Sequence, residues 1–345
     1  MKTIIIAEAG VNHNGNMDTA KKLIDLAAEC GANYVKFQIF KADLLTTSEA
    51  EKANYQKKYS VEGNQQDMLR KLELPFEHFK TLREYSESIG IGFLASAFDE
   101  VSLEYLLSLN LDFIKIPSGE ITNVPYLKRI ALEPNKIILS TGMSSIDEIQ
   151  AAINILTGQR NIALEDITIL HCNTDYPTEI DQVNLNAMTT IKNTFGSKIG
   201  YSDHTADNNV AVGAVCMGAS IIEKHITTDK NQVGPDHKAS MDKDDFKKYV
   251  KSIREAEIFL GNPLKMPTES ELQNINHARR YLVASKNIIK GEAFTEKNMT
   301  SKRTSSGIPV SQWDEIIGSK ADKNFLVDDV ITISQPMENN KRNEK

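Results

Sequence analysis

The stretch KIGYSDHTADNNVAVGAVCMGASIIEKHIT, residues 198–227, decides the fold. Its two outer runs, Lys198–Thr205 and Ala219–Thr227, are apolar on both sides and turn polar only at their C-terminal ends. A parallel strand covered by helices on both faces has no side left for water, so it reads as a continuous apolar run rather than as an alternation. Working outward, six more runs of this kind appear: Thr3–Gly10, Ala32–Phe40, Gly92–Phe98, Phe113–Glu120, Lys136–Gly142 and Ile167–Thr174. Helical periodicity lies between most of them, as in Met17–Glu29, Phe76–Ile89, Ser145–Leu156 and Val183–Phe195. Most runs begin about 20 to 31 residues after the one before, enough for a crossover helix and two loops. Eight such units in about 230 residues predict an α/β fold, a closed (β/α)8 TIM barrel over residues 1–262.

The one long interval, Lys41–Leu74, predicts an extended loop or extra hairpin over the barrel mouth. Asp244–Gly261 reads as the last barrel helix, ended by Gly261 and Pro263. Residues 263–280 read as a polar linker. Residues 281–335, with short turns and alternation, read as a small β-rich module that needs another surface to lean on. Residues 336–345 read as a disordered tail.

Composition narrows the class. Hydrophobic residues make up 40% and charged residues 25%, as in ordinary globular proteins. A net charge of -7 speaks against a nucleic-acid surface, while leaving room for a small anion held by a few lysines. Cys30, Cys172 and Cys216 are widely spaced and read as small core residues in a reducing cytoplasm. The longest small-apolar stretch, Val210–Ile222, falls short of a membrane span, and a cytoplasmic location with no membrane partner is expected.

Polar residues gather where each run ends, which in a β/α barrel is the active-site face. They include Glu8, Asn12, His13, Lys36, Gln38, Ser96, Lys115, Ser118, Glu120, Ser140, His171, Tyr176, Ser202, Asp203, His204, Glu223 and His225. His204 and His225 end consecutive runs, and neighbouring strands lie about 4.8 Å apart, so the two imidazoles can share one ion or serve as hydrogen-bonded structural residues. Two nitrogen ligands leave positions open and suit Mn2+, Mg2+ or Co2+ acting on a substrate oxygen. Lys36 and Lys115 sit inside strands, where a lysine needs a partner: an anionic ligand, an interior carboxylate such as Glu8, Glu120 or Glu223, or both. Ser96, Ser118, Ser140 and Ser202 recur at the same rim, and a capping box at Ser145 and Glu148 marks a helix start whose dipole favours anions. Walker and dinucleotide-binding loops are absent from the sequence, and His204 follows Ser202 too closely for a nucleophile and its base.

These motifs carry a resemblance. IAEAGVNHNG (Ile6–Gly15), VKFQ (Val35–Gln38), KIPSGE (Lys115–Glu120), LSTGM (Leu139–Met143), HCNTDYPT (His171–Thr178), GYSDHT (Gly200–Thr205), EKHIT (Glu223–Thr227) and GPDHKAS (Gly234–Ser240) together resemble the bacterial sialic acid synthase family. The resemblance runs almost end to end. It implies an enzyme, a transferase that condenses phosphoenolpyruvate with an N-acetylated hexosamine to give a nine-carbon sugar acid and phosphate. N-acetylmannosamine is the expected sugar. The wording also resembles synthases that use 2,4-diacetamido-2,4,6-trideoxymannose to make N,N'-diacetyllegionaminic acid.

The resemblance further implies that His204 and His225 hold a divalent metal, most often manganese. Lys36, Ser96, Lys115, Ser118, Ser140 and Ser202 match the phosphoenolpyruvate pocket. Glu8 and Glu120 could serve as general acid or base; by the resemblance Glu120 matches a catalytic carboxylate near the reacting carbon, while Glu8, Gln38, Tyr176 and Asp236 match positions facing the sugar. The C-terminal module resembles the antifreeze-like (SAF) domain, whose Arg303 would reach the N-acetyl group in a partner's barrel, implying a domain-exchanged homodimer. Thr304, Ser305 and Ser306 depart from the family's usual loop before Gly307, as do Thr174 and the segment Ser96–Phe98 from theirs. A non-catalytic carbohydrate- or ice-binding protein and a metal-dependent hydrolase are the competing classes. An inactive barrel would be expected to lose some of the rim residues, and a hydrolase site normally adds carboxylate or further histidine ligands at other strand ends, where only His171 is available.

Overall fold

The computed structural model describes residues 2–52, 63–159 and 161–333. It divides after Gly261 into two compact units. In the first, eight parallel strands run in the order β3-β2-β1-β8-β7-β6-β5-β4: β1 (Ile4–Gly10), β2 (Tyr34–Ile39), β3 (Gly92–Ala97), β4 (Phe113–Ile116), β5 (Lys136–Ser140), β6 (Ile167–Cys172), β7 (Lys198–Asp203) and β8 (Ile221–His225). The two ends of this order, β3 and β4, lie against each other and close the sheet into a barrel. Each strand is followed by a helix: Met17–Glu29, Phe76–Ser88, Glu100–Ser108, Val124–Ile130, Ile146–Gly158, Asn186–Phe195, Asn208–Cys216 and Lys243–Leu260.

Local chemistry starts and stops these helices. Asn16, Asp99 and Asp242 accept backbone N–H groups of their first turns, and Ser145 with Glu148 forms the expected capping box. Gly196 takes the left-handed conformation that ends Asn186–Phe195.

Strand alternation sorts the side chains into two cores. Ile5, Ala7, Val35, Phe37, Ile137, Leu139, Ile169 and Ile199 face the helices in one large cluster. Ile6, Leu94, Ile138, Leu170 and Ile221 form a separate cluster at the bottom of the barrel interior. Two residues further along the same faces stand Glu8, Ser96, Ser140, Cys172 and Glu223, so the interior changes from apolar to polar within one step of the pleat.

Four expectations change. The fourth run stops at Ile116, because Pro117 has no N–H to continue the ladder; Ser118–Glu120 becomes a 3-10 turn. The long Lys41–Leu74 connection contains two short helices, Ala42–Leu45 and Gln65–Arg70, with residues 53–62 outside the described set. Within the stretch read as a linker, Glu269–Ala278 is helical, started by a capping box of Thr268 and Glu271 with the same spacing as Ser145 and Glu148. Cys30 and Cys172 are buried, but Cys216, closing a helix, is exposed; all three are free thiols. The tail expected to be disordered lies outside the described residues.

The second unit pairs β9 (Arg280–Ala284) with β10 (Met299–Arg303) in antiparallel register. Its own core gathers Leu282, Ile288, Phe294, Met299, Ile316, Phe325 and Ile331. Among the described residues no helix is long and apolar enough to cross a membrane.

Gly200, on the inward face of β7, lets the strands close at the barrel bottom. A Cβ there would stand 2.4 Å from Leu170 Cδ2 and 2.5 Å from the backbone oxygen of Ile221. Gly200→Ala should therefore destabilise the first unit by about 1–3 kcal/mol, seen as a lower urea midpoint. An unchanged midpoint would show that β7 and β8 are not packed this closely.

Candidate active site

At the C-terminal end of the barrel the inward side chains enclose a cavity of about 560 Å³. Its floor is charged. Lys36 Nζ lies 2.8 Å from Glu8 Oε2, 3.6 Å from Glu223 Oε1 and 3.2 Å from Ser96 Oγ. Lys115 Nζ donates to Ser140 Oγ at 2.7 Å and lies 3.6 Å from the same Glu223 oxygen. Ser202 donates to Glu223 Oε1 at 3.2 Å, and Gln38 Nε2 to Glu8 Oε1 at 3.2 Å. Interior carboxylates thus partner both lysines, while the ammonium groups still face the cavity.

The four charges are not equivalent. Burial pushes the Glu8 carboxyl up, and Lys36 only partly offsets it. Burial acts on Glu223 in the same direction, but Lys115 and Lys36 outweigh it and hold that carboxyl below its ordinary value. For Lys36 burial is overcome by Glu223 and Glu8, so its pKa rises. Lys115, with one carboxylate nearby, is left with a lowered pKa by burial.

His204 follows the end of β7 and His225 closes β8, with ring centroids 5.4 Å apart and the Tyr176 ring 4.2 Å from that of His204. His204 Nδ1 bonds the carbonyl of Asn173. A carbonyl can only accept, so Nδ1 carries the hydrogen and Nε2 keeps its lone pair. His225 Nδ1 is buried without a hydrogen bond, 3.9 Å from Asp236 Oδ2. Burial lowers the pKa of His204 to about 4 and that of His225 well below its ordinary value, so both rings are neutral. Two neutral imidazoles, one with an orphaned buried nitrogen, fit a divalent ion whose remaining positions are filled by water or substrate. Among the described residues no group of three or more His, Cys, Asp or Glu side chains has metal-binding spacing.

The opposite wall is apolar. Val11, Phe40, Met68 and Leu72 form a cluster of their own with Leu45, Leu69 and Phe98, and all seven line the cavity. Four of these residues come from the long connection after β2. Their spacing matches neither a strand nor a long helix, so periodicity does not reveal them.

Most of the residues read from the sequence meet here: Glu8, Lys36, Gln38, Ser96, Lys115, Ser118, Ser140, Tyr176, Ser202, His204, Glu223, His225 and Asp236 line the cavity. Glu120 does not. Released from the strand by Pro117, it accepts from Asn123 Nδ2 at 2.6 Å, and burial, helped by Asp99, raises its pKa. Arg303 ends β10 in the second unit and is exposed there. Asn12 serves the loop that carries Asp236 rather than the cavity, and His13 Nδ1 accepts the Gly15 N–H of its own loop. Asn12 donates to the Ile226 carbonyl and to Ser240 Oγ, and Ser240 donates to the Asp236 carbonyl at 2.6 Å. His237 bonds Thr227 Oγ1 at 2.8 Å and Asn14 Oδ1 at 3.3 Å. Asp236 itself is pushed up to about 7 by burial and by Glu8.

Residues 23–265 match the NeuB family, and residues 279–335 match the SAF domain. The N,N'-diacetyllegionaminic acid synthase of Campylobacter jejuni is 46% identical over 331 residues, 96% of this chain and 99% of that protein. The protein of the same name from Legionella pneumophila is 44% identical over 327 residues, 94% of this chain and 92% of its own. Among solved structures, an N-acetylneuraminic acid (sialic acid) synthetase from Leptospira borgpetersenii superposes with a TM-score of 0.69 at 31% identity, covering 80% of this chain and 90% of that one.

His13 gives the site a measurable pH signature. Burial, reinforced by His237, lowers its pKa from 6.5 to about 4. The folded state therefore binds fewer protons than the unfolded chain between these values, so this contribution to stability is complete above pH 6.5 and is lost as pH falls towards 4. At most about 3 kcal/mol is involved. His13→Asn can still accept the Gly15 N–H that His13 Nδ1 accepts at 3.0 Å, and it does not titrate. Thermal unfolding at pH 7 and pH 4.5 should show a smaller acid loss in the variant than in the parent. Equal losses would place the titration elsewhere.

Proposed function

The chain belongs to the NeuB family, and on that premise we propose that it condenses phosphoenolpyruvate with the open-chain aldehyde of an N-acetylated hexosamine, forming a nine-carbon 2-keto sugar acid and phosphate. One observation carries this reading: a buried floor of two lysines stands beside a pair of neutral imidazoles in a single cavity. An enolpyruvyl phosphate needs cations for its phosphate and carboxylate, and the aldehyde needs an electrophilic partner at its oxygen.

In this scheme Lys36 and Lys115, with the hydroxyls of Ser96, Ser118, Ser140 and Ser202, hold the anion. C3 of the enol attacks the aldehyde carbon, forming the new C–C bond, and the aldehyde oxygen gains a proton. Water adds at C2, where positive charge develops, and gives up a proton. The tetrahedral adduct then expels phosphate by C–O cleavage and leaves the ketone. Glu8, on the cavity and with a raised pKa, is suited to moving that proton. The sequence offers both Glu8 and Glu120 as acid–base groups; Glu120, outside the cavity lining, accepts from Asn123 beside the turn carrying Ser118. Gln38, Tyr176 and Asp236 face the sugar. A divalent ion held by His204 and His225, most often Mn2+ with Mg2+ or Co2+ as alternatives, would polarise the aldehyde carbonyl.

For the sugar, the reading favours 2,4-diacetamido-2,4,6-trideoxymannose over the N-acetylmannosamine first expected. The names of the Campylobacter jejuni and Legionella pneumophila relatives, 46% and 44% identical, support it. So does the apolar wall of Leu45, Met68, Leu69 and Leu72, which suits a 6-methyl and a second acetamido methyl better than hydroxyls.

Purified protein should release phosphate only when phosphoenolpyruvate and an acetamido sugar are both present. The diacetamido sugar should give a kcat/KM at least about tenfold above that of N-acetylmannosamine, the scale of one or two buried methyl groups. Phosphate release from phosphoenolpyruvate alone would overturn the condensation, and a preference for N-acetylmannosamine would overturn the sugar.

Removal of divalent ions by EDTA should abolish the reaction, and Mn2+ should restore it. Full turnover by stripped protein would overturn the role given to His204 and His225.

A further inference from the structure

The β7·β8 ladder ends at the pair Asp203↔Lys224. The next residue on each side is a histidine of the imidazole pair, and for His204 the ladder no longer fixes the backbone. Side chains take over. Asp203 and Lys224 point away from the cavity, towards the helix Lys243–Leu260, and both are completely buried. Asp203 Oδ1 accepts the Thr205 N–H at 2.9 Å and the Thr205 hydroxyl at 2.8 Å. Lys224 Nζ donates to the Thr205 carbonyl and lies 3.4 Å from Asp203 Oδ2. Tyr249, from that helix, donates to Asp203 Oδ2 at 2.9 Å, and its ring centroid lies 5.6 Å from Lys224 Nζ. Every polar group of Thr205 is therefore held by the pair that closes the ladder. His204 is pinned from its other side by Thr178, whose N–H donates to the His204 carbonyl at 2.9 Å, and by its own Nδ1–H bond to Asn173.

We propose that the buried Asp203–Lys224–Tyr249 cluster is a positioning device that fixes His204 against His225 at ion-binding spacing. A buried ion pair is a weak source of stability, since a well-packed apolar pair of the same volume often does as well. What an apolar pair cannot do is hold both the N–H and the carbonyl of the residue after His204. The charges are accounted for by that task, and Tyr249 ties it to the outer helix layer. Partners bonded directly to a metal ligand typically change metal affinity by about 10–100-fold when removed, which sets the upper scale for a cluster that acts through Thr205.

The inference rests on the reading that the two histidines bind a divalent ion, and the test separates the two. Mn2+ is titrated into full-length protein while the free ion is followed by electron paramagnetic resonance. The proteins are the parent, His204→Ala, Tyr249→Phe, and the charge-free double variant Asp203→Asn with Lys224→Met. Thermal unfolding of each is measured alongside. The parent should bind and His204→Ala should not. Tyr249→Phe should bind several-fold more weakly and the double variant about 10–100-fold more weakly. Both should unfold within a few degrees of the parent, and excess Mn2+ should recover their turnover. If His204→Ala binds as the parent does, the ion reading fails and the inference with it. If the parent binds through its histidines and both cluster variants bind equally tightly, only the inference fails. A variant that loses stability while its folded form keeps parental affinity shows a merely structural role and also overturns it. Tyr249→Phe removes a single hydroxyl, so the test stands even where the double variant does not fold.

Discussion

Two ammonium groups inside a closed barrel are the constraint on which this structure turns. A buried lysine must be neutralised, paired or shifted, and Lys36 and Lys115 show two of these answers within one cluster. Lys36 is held between Glu8 and Glu223, whereas Lys115 shares Glu223 and leans on Ser140. The apolar layer beneath, Ile6, Leu94, Ile138, Leu170 and Ile221, gives these charges a dry floor. The same layer sharpens their effect on an anion, because attraction between charges grows as water is removed.

The cluster also divides the labour of the carboxylates. Glu223 lies within 3.6 Å of both lysines and stays ionised, serving as a fixed counter-charge. Glu8 has one lysine, is pushed up by burial, and sits where protons can move. An anion entering over Lys115 meets the less fully paired cation. The neutral imidazoles of His204 and His225 stand next to this charged floor, so in the proposed reaction the cavity would offer cations to one reactant and lone pairs for an ion to the other.

Much of this was legible in the sequence because the barrel imposes a simple rule. Apolar runs give strands, their C-terminal ends give the active face, and alternation decides which residues look inward. Lys36, Lys115, Glu223 and the two histidines follow from that rule alone. Where the rule stops, legibility stops with it. Pro117 ends β4 early, and Glu120 swings to Asn123 instead of the cavity. The apolar wall depends on a long connection whose contacts are tertiary and have no period. Thr268 and Glu271 carried a readable capping box that polarity alone concealed. Asp203 and Lys224 could be placed on the outer face by alternation, but their meaning depends on Tyr249, supplied by a distant helix.

In the proposed reaction the paired lysines form the anion site of the barrel. Calorimetric titration of phosphoenolpyruvate into the parent and into Lys115→Met, without sugar, measures it most directly. Loss of a charged hydrogen bond to phosphate or carboxylate predicts binding about 10–100-fold weaker in the variant. Equal affinity for the two proteins would contradict the claim, leaving Lys115 as a partner of Glu223 and nothing more.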